Sequence, residues 1–272
     1  MSPSWHKRVR IALSPHQVAL VRFSRGLNPH GTYGDCRPSG ETPAQPNWGG
    51  PIDTLRAMLA DPASGKTCAT VILSNHFVRY LVLSWSDELV TEAEKAEYAR
   101  ARFVEVFGEA ARDWVIRTSS AAAGVPRLAA AADLALINAL IRTLDASGVK
   151  FTSCQPALMA QFNGARARIG KDAWLVSAER TRLSIARIRD GQWYSVRTRP
   201  LNGTPVALRD LLDQERLLVP AGAPGDKIFL SAADDVAIDT TGLRLERLVA
   251  RRNDRLAPDV DAGLALAMAG VR

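Results

Sequence analysis

The octapeptide ADPASGKT (Ala60–Thr67) is the stretch of this chain whose spacing most resembles a nucleotide site. Gly65, Lys66 and Thr67 stand where a P-loop keeps its glycine, the lysine that reaches the phosphates and the hydroxyl that holds magnesium. Ala60 replaces the leading glycine. Such a loop works when it leaves a strand and opens a helix, because the helix N-terminus supplies converging N–H groups. Here the order is reversed. PIDTLRAMLA (51–60) has helical spacing, with Ile52, Leu55, Met58 and Leu59 on one face behind Pro51, and CATVILSN (68–75) is an aliphatic strand. The motif reads as a helix-to-strand loop, with no helix N-terminus at Lys66 to hold an anion.

No other residue set supplies nucleophilic, acid–base or metal chemistry. The chain lacks G-x-S-x-G and H-E-x-x-H, and His6, His16, His30 and His76 are scattered. His76 reads as a hydrogen-bonded turn residue. Glu92 and Glu94 open an amphipathic helix, where carboxylates serve capping and the helix dipole rather than proton transfer. Cys36, Cys68 and Cys154 are odd in number and contain no C-x-x-C pair, which argues against a disulfide framework or a zinc site. No catalytic residue and no metal ligand are expected.

The elements around these residues alternate between strand and helix. VRIALS (9–14) and QVALVRFSR (17–25), joined at Pro15-His16, predict a β-hairpin. Residues 26–50 contain Pro29, Pro38, Pro43 and Pro46 with few aliphatic side chains, and predict either a disordered insertion or a surface flap, without a core element. CATVILSN and FVRYLVLSW (77–85) predict two strands closely linked by Asn75-His76. Thr91-x-x-Glu94 is a capping box opening a helix with Ala96, Ala99, Phe103 and Phe107 on one stripe, stopped by Gly108. RDWVIRTS (112–119) and PRLAAAAD (126–133) read as strands, LALINALIRTLDASG (134–148) as a helix, KFTSCQP (150–156) as a strand and ALMAQFN (157–163) as a short helix. The second half opens on consecutive strands turning at Ala178–Arg180 and at Asp190-Gly191. It continues with a helix (205–219), two short strands (226–231 and 243–249) and a terminal small-residue helix (261–272).

A length of 272 residues favours two subdomains, and 47% hydrophobic with 23% charged residues is ordinary for a soluble protein. No apolar run approaches the roughly 18 residues that span a bilayer, and the start MSPSWHKRVRIALSP lacks a secretory h-region. A cytoplasmic location follows as the expectation. The net charge of +7 is partly gathered in Arg244, Arg247, Arg251, Arg252 and Arg255. No aromatic residue interleaves these arginines and no helix-turn-helix or RNA-binding signature accompanies them, so nucleic acid is not expected. Contact with an anionic membrane surface fits the same charge.

The two halves echo one another. HQVALVRFSRG (16–26) matches TRLSIARIRDG (181–191), each preceded by an apolar strand ending in Ser14 or Ser177. Such an echo is what the actin-like ATPase superfold produces, with two ribonuclease-H-like subdomains each opening on a hairpin. Within that superfold the chain resembles the PilM family of type IV pilus assembly and the related GspL cytoplasmic domain of type II secretion. The segment ATVILSNHFVRYLVLSWSDELVTEAEKAEYARARFVEVFG (69–108) is similar to that family's inserted subdomain. LALINALIRTLDASGVKFTSCQPALMAQFN (134–163) and AGLALAMAGVR (262–272) are similar to its later helix–strand–helix and closing helix. The resemblance implies an α/β, actin-like two-domain fold. Its first domain would cover residues 1–165, with an insert at about 68–119. The second would cover 166–272, its last helix packing back on the first domain.

The resemblance also implies where a nucleotide would sit and what has been lost there. ATP-binding relatives carry Asp-x-Gly in each hairpin, the carboxylate ordering the metal and the glycine admitting phosphate. This chain has Ala12 and Ser14 in the first hairpin, and Leu175 and Ser177 in the second. The strand KIFLS is followed by AADDVAI rather than a glycine-rich adenosine loop, and its Asp234 and Asp235 read as surface residues. A pseudo-ATPase without cofactor is expected. The alternative is an ATPase with degenerate loops, holding magnesium-bound ATP through Ser14, Gln17, Ser177 and Glu179. The implied partner is the N-terminal cytoplasmic tail of a bitopic, PilN-like inner-membrane protein, with an assembly ATPase as a further partner. Its groove would lie around Phe77, Arg79, Leu81 and Glu92. GspL carries its own membrane helix, whereas this sequence contains none, so a separate membrane partner is implied.

Overall fold

A computed structural model describes residues 7–24, 31–39, 48–60, 67–203, 205–218, 227–232, 236–248 and 262–269. The chain opens on β1 (Lys7–Leu13), β2 (Gln17–Phe23) and β3 (Gly31–Pro38), then α1 (Gly49–Met58) and β4 (Thr67–Leu73). Next come β5 (Val78–Leu83), α2 (Glu92–Phe107), a 3-10 turn (Glu109–Asp113), β6 (Trp114–Thr118) and β7 (Arg127–Asp133). α3 (Leu134–Ala146), β8 (Val149–Pro156) and α4 (Ala157–Ala165) complete the first half. The second half runs β9 (Ala173–Glu179), β10 (Arg182–Arg189), β11 (Gln192–Pro200), β12 (Val206–Ala207) and α5 (Leu208–Leu217). It ends with β13 (Lys227–Ala232), β14 (Ile238–Asp239), β15 (Leu245–Arg247) and α6 (Ala262–Met268).

Two five-stranded sheets follow one plan. The first has the order β3-β2-β1-β4-β8 and the second β11-β10-β9-β13-β15. In each, an antiparallel three-stranded meander is extended on its first strand by two parallel strands. The inner parallel strands β4 and β13 carry the aliphatic runs TVIL and IFL because both of their faces are covered there. On the first sheet Ile11, Leu20 and Val71 face α1 and α3 through Leu55, Leu136 and Leu140, while Ala12, Ala19, Val21 and Phe23 face Ala267 and Met268 of α6. On the second, Trp174, Val176, Leu183 and Ile185 pack on Leu208 and Leu212 of α5, and Leu175 and Phe229 turn to the larger core. α4 packs on both β8 and β9, placing it between the sheets.

A third sheet, β5-β7-β6, is inserted after β4. Val78, Tyr80 and Leu128 join the larger core, and Leu83, Ala129 and Ala131 pack under Ala99 and Phe103 of α2. Thr91 and Glu94 make the expected capping box: Glu94 N donates to Thr91 Oγ1 (3.2 Å), and Thr91 N donates to Glu94 Oε2 (2.8 Å). The turn between β10 and β11 needs positive φ at both central residues, which Asp190 (52°) and Gly191 (76°) supply. Thr67–Leu73 belongs to the first sheet rather than to the insert, and β7 carries the insert as far as Asp133.

Three expectations require correction. Residues 31–38, read as lacking a core element, form edge strand β3. Its backbone pairs with β2 and needs few aliphatic side chains, and Pro38 sits at its end, where a missing donor costs little. β4 and β5, read as linked strands of one inserted subdomain, lie in different sheets, and residues 74–77 carry the chain from one to the other. The second hairpin turns at Arg180-Thr181, because Ala178 and Glu179 still pair with Leu183 and Arg182. The P-loop-like residues 61–66 lie outside the described residues. A helix nonetheless precedes them and a strand follows, as the sequence order requires.

Candidate functional site in the cleft between the sheets

β1 ends at Leu13 and β9 at Glu179, and both hairpin turns meet the Ser74–His76 crossing. Ser74, Asn75, His76 and Ser177 are buried polar residues. Burying such groups is costly unless each finds a partner. The crossing finds them in the other sheet. Asn75 N donates to Glu179 Oε1 (2.8 Å), Asn75 Nδ2 donates to Ser177 Oγ (2.9 Å) and Ser74 Oγ donates to Glu179 Oε2. Asn75 Oδ1 accepts from Tyr80 Oη (2.6 Å) and from Leu158 N (3.3 Å), which uses both lone pairs of that oxygen.

A second chain of contacts runs to the surface. His76 Nδ1 lies 2.8 Å from Ser74 Oγ, and its Nε2 lies 2.7 Å from Thr181 Oγ1. His16 Nε2 approaches the same Thr181 oxygen at 3.3 Å, and the two imidazoles meet edge-on at 5.7 Å. With Ser74 donating to Glu179, its oxygen accepts from His76 Nδ1–H. In the tautomer with the proton on Nδ1, Nε2 accepts from the Thr181 hydroxyl. Tyr80 stays protonated well above its ordinary range, because burial and then the Glu179 charge disfavour the phenolate.

The four residues expected around a nucleotide divide between two tasks. Ser14 Oγ donates to Gln17 O (2.9 Å) and accepts from Gln17 N (3.1 Å), closing the first hairpin on itself. Ser177 and Glu179 both bind the crossing. The arrangement is therefore a protein–protein hydrogen-bond network between the sheets. Asp234 and Asp235 lie outside the described residues, as do Arg251, Arg252 and Arg255. Among the described residues no group of three or more His, Cys, Asp or Glu is placed to hold a metal ion, and no helix is long and apolar enough to cross a membrane.

The residues expected to line a partner groove are separated. Phe77 belongs to the larger core and Leu81 packs toward the core under α2. Arg79 donates to His76 O (3.0 Å) at the cleft end of β5, and burial followed by nearby Arg182 lowers its pKa. Glu92 is exposed, pairs with Lys95 at 2.8 Å and lies on the Arg127 side of the insert. There the surface holds a pocket missed in the sequence, lined by Leu83, Trp85, Leu89, Lys95, Tyr98 and Arg127. Arg127 stacks over Trp85 at 5.7 Å. The Trp85 and Leu89 positions in a polar loop before the capping box were the available signal. Ser74 and Asn75 were also missed, because a link between two strands reads as a local turn.

No protein-family model and no curated protein sequence matches the chain. Solved structures do. A chain of a PilM–PilN type IV pilus biogenesis complex is similar at a TM-score of 0.53 and 15% sequence identity, over 79% of this chain and 66% of that one. The cytoplasmic domain of EpsL, an inner-membrane component of the type II secretion system of Vibrio cholerae, is similar at 0.55 and 9% identity, over 89% of both chains. A Bacteroides thetaiotaomicron protein with an actin-like ATPase fold and unknown function is similar at 0.53 and 12% identity, over 84% of this chain and 82% of that one. The chain is an α/β protein of the actin-like fold, similar in structure to PilM and to the cytoplasmic domain of EpsL.

Proposed function

We propose that this protein is a non-catalytic, actin-like scaffold at the cytoplasmic face of an inner-membrane assembly platform of the type IV pilus or type II secretion kind. It binds the cytoplasmic tail of a bitopic membrane partner. The observation that carries the non-catalytic part is the use of Ser177 and Glu179. Ser177 accepts from Asn75, and Glu179 accepts from both Ser74 and Asn75 across the cleft, where nucleotide phosphates would need free donors and a metal-ordering carboxylate. The partner part rests on structural similarity to a chain from a PilM–PilN complex. The inserted sheet is the surface this reading assigns to the tail. Its pocket offers apolar walls at Leu83, Trp85, Leu89 and Tyr98 beside two cations, Lys95 and Arg127.

A pull-down from detergent-solubilised membranes tests the reading, with the intact chain and its Trp85→Ala variant as baits. Recovery of a bitopic pilus or secretion component by the intact chain, reduced with the variant, supports it. Recovery of soluble enzymes alone overturns it.

A further inference from the structure

Glu179 is a carboxylate held between the two halves of the molecule, and every contact it makes with the crossing is one an oxyanion ligand would make. Its Oε1 accepts a backbone N–H from Asn75 (2.8 Å) and its Oε2 accepts the Ser74 hydroxyl, with His76 Nδ1 at 3.4 Å. Its side chain is 13% exposed and that of His76 8%. Arg182 adds a favourable charge nearby. These donors come from the end of β4, in the first sheet, and the acceptor comes from the end of β9, in the second. The bonds therefore join the two sheets across the cleft.

We propose that Glu179 is a built-in ligand: it fills an oxyanion seat at Ser74–His76 from within the chain and latches the halves together, so that closure needs no bound small molecule. Three features support a fastener over ordinary core packing. The network is polar while its surroundings are aliphatic, and it joins residues about a hundred positions apart. A bond to a charged acceptor is also stronger than a neutral one. Asn75 adds a second tie through Ser177, and Thr181 a third through His76, nearer the surface. The latch is independent of the partner assignment, since it concerns the cleft and not the insert.

Residue-resolved amide hydrogen exchange on the intact chain and on Glu179→Ala, with small-angle scattering on the same samples, tests the latch. The variant is expected to exchange about tenfold faster or more at residues 75–77 and 180–183, as loss of a charged hydrogen bond implies. Its radius of gyration should also rise. The Ser74 amide, which donates to Leu13 O (2.9 Å) within the first sheet, should be unchanged. Glu179→Gln keeps the acceptor for Asn75 N and should fall between the two. Thr181→Ala, at an exposed turn, gives the same readout without disturbing the core and should speed exchange at His76. Unchanged exchange at 180–183 in both Glu179→Ala and Thr181→Ala overturns the proposal. So does a loss of protection spread evenly over both sheets, because Glu179 would then support the fold as a whole.

Discussion

Asn75 and Glu179 are 104 residues apart and are joined by a 2.8 Å hydrogen bond from a backbone amide to a carboxylate. The bond links the end of a parallel strand in one sheet to the end of the central hairpin strand in the other. It makes the cleft between the halves a structural joint, and its consequences can be measured.

Asn75→Ala should be among the most damaging single substitutions in the chain. It strips partners from Ser177, Tyr80 and Leu158 at once, and Asn75 itself is fully buried. Leaving such groups unsatisfied is expected to cost about 3 kcal/mol in urea-denaturation free energy. A loss within experimental error of zero would mean that water replaces the amide.

Stability should fall on the alkaline side because of Tyr80. Its folded-state pKa is raised, so above about pH 10 the unfolded chain has lost a phenolic proton that the folded chain keeps. The unfolded state then binds fewer protons, and unfolding free energy declines as pH rises. Tyr80→Phe should lower stability at neutral pH by about 1 kcal/mol through the lost bond to Asn75, and flatten the alkaline decline. Denaturation curves at pH 8 to 11, with tyrosinate absorbance in parallel, read both effects.

Gly263 holds α6 against the first hairpin. A Cβ there would lie 2.7 Å from Gln17 Nε2, 3.0 Å from Cys36 Sγ and 3.1 Å from Ala19 Cβ. Gln17 can swing away but the strand under Ala19 cannot, so Gly263→Ala should destabilise the docked helix by about 1–2 kcal/mol. Arg10 Nη2, which donates to Ala269 O (2.6 Å), anchors the other end. Limited proteolysis near residues 250–262 should be faster in the variant, with the second sheet protected as before.

Glu215 ties α5 to β11. Its side chain is 2% exposed and accepts from Arg197 Nε (2.8 Å) and Arg199 Nη2 (3.0 Å), both of which reach solvent. Glu215→Ala should cost about 2–3 kcal/mol, less than a fully buried pair because the two guanidinium groups can hydrate. Thermal unfolding measures this. The cleft exchange rates should not respond, which separates the tie from the latch.

What was legible in the sequence was local. Pro15-His16, Thr91-x-x-Glu94 and Asp190-Gly191 each carry their chemistry within four residues, and each forms the turn or cap it specifies. Strand β3 was not legible, because an edge strand held by backbone pairing shows no hydrophobic alternation in GTYGDCRP. The site was half visible. The hairpin echo drew attention to Ser177 and Glu179, but their partners Ser74 and Asn75 lie over a hundred residues away, and no local spacing encodes that contact. The sign was three consecutive polar residues, Ser74-Asn75-His76, closing an aliphatic strand; such a run needs buried partners once the strand is central. The partner groove was scattered for a similar reason. Phe77, just before β5, joins the larger core, Leu81 packs under α2, Arg79 is held at the cleft end of β5 by His76 O, and Glu92 lies on the first turn of α2.

The most direct test is titration calorimetry of the intact chain with magnesium-ATP. With Ser177 and Glu179 committed to the crossing, no saturable heat is expected up to about 1 mM nucleotide, the level at which binding is worth only about 4 kcal/mol. Saturable binding with a micromolar Kd, or turnover of ATP, would contradict the account, because the nucleotide would have to displace the bonds that close the cleft.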